Sequence, residues 1–360
     1  MAVSPPDLVE RLRSQYFADR RFTHADLHVD QQNGTVTISG TVLDRPAVEF
    51  FLGVLYQHAP TVNWRDEMTP LVAGPDYSWA LATRAVVDVR REPSNGAERV
   101  TQIIYGEPVE VLRRSGNWAY IRGHDGYLGW THGEPLHTCS AEAVHDWSSA
   151  VTHVVRQPLL ACYVDASGEP HQQVMLLPFG ARLHVEGTDG AYCSIRCPDS
   201  VLRWVPATGL LPSAELMHSG IDGLRTVVNW AQALIGVPYL WGGKTPFGYD
   251  CSGLVQMLYS MIGVELRRDA DQQAAHGHTV SFDEIRFGDC LFFDTTASEA
   301  ELHAPREQSE VTHVALAIDE QEFLHASRRH GGVVRGSFDP HSAWYIPTYR
   351  QRFLGARRYL

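Results

Sequence analysis

Long apolar runs are missing from this sequence: nowhere do ~20 consecutive apolar residues occur, the length a helix needs to cross a bilayer, so no helical membrane span is expected. Positive charge is also short. Thirty Lys and Arg against 42 Asp and Glu leave a formal charge of −12, which argues against nucleic acid and against anchoring to polyanionic wall polymers through a basic surface. The start, Met1-Ala2-Val3-Ser4-Pro5-Pro6-Asp7, has no basic segment followed by an apolar core, so the expected compartment is the cytoplasm. Six scattered cysteines form no dense framework and fit a reducing environment. Histidine is plentiful, but Cys193 and Cys197, or His276 and His278, offer no four-ligand spacing. No metal and no cofactor are expected. At 360 residues the length favours several domains.

Against this background, Pro238-Tyr239-Leu240-Trp241-Gly242-Gly243 followed by Tyr249-Asp250-Cys251-Ser252-Gly253-Leu254 is the most informative stretch. The glycines mark turns, while Leu254, Val255, Leu258, Met261 and Ile262 recur as in a helix buried on one side, with Gly263 at its C-terminal end. Cys251 thus falls at a helix start, where unpaired N–H groups and the dipole favour a thiolate nucleophile. A buried structural cysteine is the alternative.

A base for that cysteine is sought downstream. Val311 to Ile318 and Glu322 to Ser327 read as two strands around an Asp319-Glu320-Gln321 turn. A turn centred on Asp319 sets His313 directly opposite His325, so that one imidazole takes the thiol proton and the other orients it. A one-residue slip in register would break the pairing.

These segments resemble the NlpC/P60 family of papain-like cysteine peptidases, bacterial enzymes that cut cell-wall peptides. The matching pieces are PYLWGG, DCSGL, RDADQQ from Arg268 to Gln273, FGDCLFF from Phe287 to Phe293, THVALAI around His313 and FLHAS around His325. The resemblance implies Cys251 as nucleophile, His313 as general base, His325 as the polar third member and Tyr239 beside the oxyanion. Two departures stand out. A long polar stretch, Thr295 to Glu310, replaces a short loop and reads as an acidic lid or a solvated excursion, and Ala270 replaces a serine common in relatives.

Upstream, the chain repeats itself at an offset of 74 positions: Gly106, Gly116, Trp118, Ile121 and Trp130 correspond to Gly180, Gly190, Tyr192, Ile195 and Trp204. Each unit reads as short strands separated by glycine turns, hence a small β-barrel. The pair resembles bacterial SH3-like domains. The first is similar to the SH3-like partner domain of γ-D-glutamyl-L-diamino acid endopeptidases of the recycling type, through Val89 to Pro93 and Asp125 to Trp130. That resemblance implies that Glu92, Tyr127 and Asp250 meet the free amine of an L-Ala-γ-D-Glu peptide. Ser252, Arg268 and Asp269 are further expected contacts, the arginine for the D-Glu carboxylate.

The opening segment reads as helix, two strands joined at Asn33-Gly34, helix and a strand at Thr61 to Trp64; its order and the ISGTV segment resemble a BON-type domain. The expected architecture is α+β: a small α/β domain (1–73), two SH3-like barrels (77–140 and 148–214) and a papain-like NlpC/P60 catalytic domain (218–360). The expected partner is a murein peptide. A secreted hydrolase of intact peptidoglycan and a non-catalytic peptide-binding protein on the same fold are the competing expectations.

Overall fold

The computed structural model describes residues 4–217, 219–295 and 310–360. The expected acidic lid therefore falls, for residues 296–309, outside the described residues.

The N-terminal module is built by helix α1 (Pro5–Tyr16), strands β1 (Ala25–Gln32) and β2 (Thr35–Val42), helix α2 (Arg45–His58) and strand β3 (Asn63–Pro70). Ser4 caps α1 by accepting from the Asp7 N–H at 3.3 Å, and Asp44 caps α2 through the Ala47 N–H at 3.0 Å. Asn33 and Gly34 both take positive φ, 49° and 78°, as a two-residue hairpin requires. β2 pairs antiparallel with β1 and parallel with β3, and Leu8, Leu12, Ile38, Phe51 and Leu55 close one core beneath the sheet.

Two seven-stranded units follow. The first comprises β4 (Ser78–Ala82), β5 (Val86–Arg90), β6 (Arg99–Ile104), β7 (Pro108–Ser115), β8 (Trp118–Gly123), β9 (Leu128–His132) and β10 (Leu136–Cys139). After helix α3 (Ala141–Ala150), the second comprises β11 (His153–Val155), β12 (Leu159–Tyr163), β13 (Gln173–Pro178), β14 (Arg182–Asp189), β15 (Tyr192–Arg196), β16 (Leu202–Pro206) and β17 (Leu210–Pro212). Their strand orders, β10-β4-β7-β8-β9-β5-β6 and β17-β11-β14-β15-β16-β12-β13, are the same. The sequence repeat is matched in backbone detail. A bulge between Val111 and Arg113 recurs between Val185 and Gly187, and the hairpin glycines Gly116 and Gly190 have φ of 55° and 57°. The indole of Trp147 on α3 bonds the Gly106 carbonyl at 2.9 Å and pins the connecting helix to the first unit.

In the last domain, helices α4 (Gly220–Ala231), α5 (Cys251–Ser260) and α6 (Ala270–Ala274) precede or flank a six-stranded sheet, with the short pair β18 (Lys244–Thr245) and β19 (Gly248–Tyr249) leading into α5. The sheet runs in the order β20 (His278–Val280), β25 (Phe353–Arg358), β21 (Cys290–Phe293), β22 (His313–Ala317), β23 (Glu322–Ser327) and β24 (Gly332–Ser337), with helix α7 (Pro347–Arg352) ahead of the last strand. The reading of α5 as buried on one side is corrected: every residue from Cys251 to Tyr259 is buried. The sheet covers one face, and the side of the second seven-stranded unit supplies another, with Leu177, Phe179 and Ile195 in the same core as Met257 and Leu258. Gly263, at φ 80°, ends the helical turn where expected.

The first unit docks on the last domain through polar contacts. Gln102 accepts from the Lys244 N–H at 3.0 Å, Lys244 Nζ pairs with Glu107 at 3.0 Å, and Trp241 Nε1 donates to Glu98 at 2.8 Å. Such directional bonds hold the unit in one orientation over the head of α5.

Candidate active site

Tight turns at Gly242, Gly243 and Gly248 deliver the chain to Asp250, whose carboxylate caps α5 by accepting from the Gly253 N–H at 2.7 Å. Cys251 is the first residue of that helix, on the floor of a cavity of about 990 Å³. Tyr239, Tyr127, Asp250, Ser252, Asp269 and His313 line the same cavity. α5 packs against β22, and the Val314 N–H is directed at the Cys251 sulfur.

His313 Nε2 lies 2.8 Å from His325 Nδ1, with the rings edge to face at 5.0 Å between centroids. The register that brings them together is not the expected one. The ladder pairs Leu316 with Leu324 and Ala317 with Phe323, so the turn centres on Glu320 rather than Asp319. Asp319 instead opens the turn, its carboxylate accepting from the N–H groups of Gln321 and Glu322 at 2.7 and 2.6 Å. Moving the centre by one residue moves each partner by two, which preserves the face. The imidazoles therefore meet as diagonal neighbours.

Burial of the site works against the expected thiolate. Burial, with the Asp250 carboxylate beside it, pushes the Cys251 thiol up to about 12, against the N–H groups of Val314 and Ser252 and the Arg268 cation. Burial depresses His313 to about 3, and His325 is likewise held well below its ordinary range by burial and by His313. Both shifts favour the neutral forms, and a neutral imidazole can act as general base toward the thiol. In the tautomer that leaves His313 Nδ1 to accept the thiol proton, Nε2 carries the hydrogen and donates to His325 Nδ1; His325 Nε2 is buried without a hydrogen-bond partner among the described residues. The Tyr239 phenol is kept protonated by burial and by the neighbouring Cys251 and Asp250. It is available as a donor.

Of the residues expected to hold substrate, Arg268 and Glu92 lie outside the cavity, and Asp250 lines it with its acceptor sites occupied. Arg268 has a fully buried side chain, bonds Asp250 through both terminal nitrogens at 3.0 and 2.7 Å, and reaches Ser252 at 3.0 Å and Thr101 at 2.8 Å. It does not line the cavity; it is a buried brace between domains. Asp250 faces the cavity, but Arg268, Gly242, Gly253 and Ser252 fill its acceptor sites. Glu92 is exposed and outside the cavity, because its hairpin turns Arg91 and Glu98 inward instead. Tyr127, by contrast, projects in and donates to Asp269 at 3.0 Å. Ala270 is buried at the cavity wall, so no side-chain hydrogen bond comes from that position.

Several residues escaped the sequence reading. Tyr349 on α7 lies 3.4 Å from His325 Nδ1 and lines the cavity, but no spacing rule ties it to the histidines. Arg328, Arg329 and Arg352 also line the cavity, as do Ala18 to Arg21 of the N-terminal module. Trp241 lies inside the PYLWGG segment and was legible as part of it. Among the described residues, no group of three or more His, Cys, Asp or Glu is placed to hold a metal.

Comparison with known proteins matches residues 236–358 to the NlpC/P60 family. The chain carries an NlpC/P60 cysteine-peptidase domain. Residues 89–134 match the bacterial dipeptidyl-peptidase SH3 domain, so the NlpC/P60 domain is joined to at least one bacterial SH3 domain. The chain is 25% identical over 302 residues to a gamma-D-glutamyl-L-lysine dipeptidyl-peptidase of Bacillus cereus, covering 81% of this chain and 84% of that protein. It is 28% identical over 284 residues to dipeptidyl-peptidase 6 of Lysinibacillus sphaericus, covering 76% of this chain and 94% of that protein. An NlpC/P60 family protein of Bacillus cereus of known structure superposes with a TM-score of 0.65 at 21% identity, over 79% of this chain and 100% of that one. It shares the fold.

Proposed function

We propose that the enzyme hydrolyses the bond between γ-D-Glu and the following diamino acid in murein peptides that carry a free N-terminal L-Ala, in the recycling of cell-wall peptides. The observation that carries the reading is one cavity lined by Cys251, His313 and the SH3-domain Tyr127. Two relatives named gamma-D-glutamyl-L-lysine dipeptidyl-peptidase, each matching more than three quarters of the chain, point the same way. We read the second seven-stranded unit as a duplicated SH3-like domain, on its shared strand order.

In the proposed reaction His313 takes the Cys251 proton as sulfur attacks the γ-carbonyl carbon. The oxyanion is held by the Cys251 N–H and the Tyr239 hydroxyl. His313 then protonates the departing amine, the thioester forms, and a water deprotonated by His313 releases L-Ala-γ-D-Glu. Because the general acid must reach the leaving nitrogen, the leaving residue lies on the side of Arg328, Arg329 and Arg352, where guanidinium groups suit its carboxylate. The acyl dipeptide then points to Tyr127 and Asp269. A wall there admits two residues before the cut and excludes glycan-linked stems.

The test is incubation of the enzyme with L-Ala-γ-D-Glu-diaminopimelate and with its N-acetylated twin. Cleavage of the free-amine peptide with little of the acetylated one is expected. Equal cleavage removes amine recognition, and inertness toward both removes the functional reading.

A further inference from the structure

We propose that the N-terminal module completes the substrate cleft, with Arg21 as the positioning residue that holds Asp269 and Tyr127 ready to receive the substrate's ammonium group. The inference rests on the amine-recognition reading above and adds to it a residue from outside both matched regions, 89–134 and 236–358.

All five N–H groups of Arg21 are engaged. Nε and Nη2 hold Asp19 at 2.8 and 2.9 Å, Nη1 and Nη2 hold Asp271 at 2.9 Å each, and Nη1 reaches Asp269 Oδ2 at 3.0 Å. Tyr127 donates its hydroxyl to that same Asp269 oxygen at 3.0 Å. Arg21 therefore has no donor left for substrate; its effect passes through Asp269. The segment around it is clipped between the first seven-stranded unit and the last domain. The Arg21 carbonyl accepts from the Leu128 N–H at 2.8 Å, Phe22 packs edge to face on Tyr127 at 5.6 Å, and the Arg267 guanidinium lies 4.8 Å over the Phe22 ring. Ala18 to Arg21 form cavity wall at this end.

The chemistry follows from donor and acceptor counting. While Asp269 is ionised, the Tyr127 proton is spent on it, and the phenol oxygen presents only lone pairs to the cavity. An ammonium group is recognised by that oxygen and by the carboxylate beside it. Were Asp269 protonated, the acceptor and its charge would be lost. Burial pushes the Asp269 carboxyl up, and Arg268, the Tyr127 hydroxyl and Arg21 oppose that rise. Arg21 is the member of this set contributed by the N-terminal module. Of the other carboxylates at the cavity, Asp250 has its acceptor sites filled, Asp19 and Asp271 are held by Arg21, and Glu98 accepts from the Trp241 indole, so amine recognition falls chiefly to the Tyr127 and Asp269 pair.

The experiment compares full-length wild type, Arg21→Ala, Arg21→Lys and Asp271→Asn on L-Ala-γ-D-Glu-diaminopimelate and its N-acetylated twin between pH 5 and 8, with thermal unfolding of each. Arg21→Ala is expected to raise KM for the free-amine peptide about tenfold or more with kcat nearly kept, as for lost ground-state binding. The acid limb of kcat/KM should move to higher pH, the preference over the acetylated peptide should shrink, and Arg21→Lys should recover part of both. Unchanged KM and pH profile, or an equal fall in kcat on both peptides that follows the loss of thermal stability, overturns the proposal. Should Arg21→Ala fail to fold, Asp271→Asn, which loosens Arg21 without touching Tyr127, must raise the same KM; no rise overturns it. Wild-type inertness toward both peptides would instead strike the reaction proposed above.

Discussion

His313 and His325 meet at 2.8 Å, although the β22–β23 ladder sets neither directly opposite the other. Their contact is diagonal, and its value lies in orientation: in the tautomer in which His325 Nδ1 accepts from His313 Nε2, Nδ1 of His313 is left for the thiol. His325→Ala should lower kcat ~10²-fold, within the range of general acid–base contributions, with KM little changed. His325→Asn, which keeps an acceptor, should lose less. Steady-state kinetics check this, and a wild-type kcat in His325→Ala would refute it.

The same two histidines make stability depend on pH. Both are held below the ordinary value of 6.5 by burial, His313 to about 3. The unfolded chain therefore binds more protons than the folded one from about pH 6.5 downward, and stability falls as pH falls through that window. The slope is about 1.4 kcal/mol per pH unit for each histidine. Denaturant titrations from pH 7 to 4 should show a shallower decline for His325→Asn than for wild type; parallel declines would contradict the shift.

Arg268 and Asp250 form a buried brace, so their variants should report on folding before binding. Arg268→Ala leaves Asp250 buried and unpaired, and is expected to cost about 3–5 kcal/mol. Differential scanning calorimetry should show a large fall in Tm. An unchanged Tm with a raised KM would return Arg268 to the role of substrate ligand.

Gly253 sits where a Cβ would run into the Gly243 carbonyl, Asp250 Oδ1 and the Lys244 side chain. The first of these is backbone and does not move aside, so Gly253→Ala should destabilise by about 1–3 kcal/mol, the range for overpacking. It should also displace the head of α5. Slower alkylation of Cys251 together with lower Tm is the expected signature, and a wild-type rate would show the turn to be slack.

What was legible in the sequence was what the chain writes locally. The Asp250 cap, Cys251 at the first helical position and Gly263 at the end lie within one helix, and the two seven-stranded units repeat the same bulge at the same offset. The histidine pair survived a wrong turn centre because a shift of two keeps the face. The substrate-side residues were harder for a physical reason. Arg268 reaches Thr101 across 167 positions and Arg21 reaches Asp269 across 248, and no periodicity encodes such meetings. Glu92 and Glu98 lie on one hairpin, and only the turn between them decides which faces the cleft.

The central claim is that Cys251 carries the acyl group. Acid-quenching a turnover mixture with L-Ala-γ-D-Glu-diaminopimelate and mapping the protein by mass spectrometry tests it most directly. The expected result is an L-Ala-D-Glu thioester on the peptide containing Cys251, absent in Cys251→Ala, which should bind substrate without turning it over. Product formed at the wild-type rate by Cys251→Ala, or an adduct on another side chain, would contradict it.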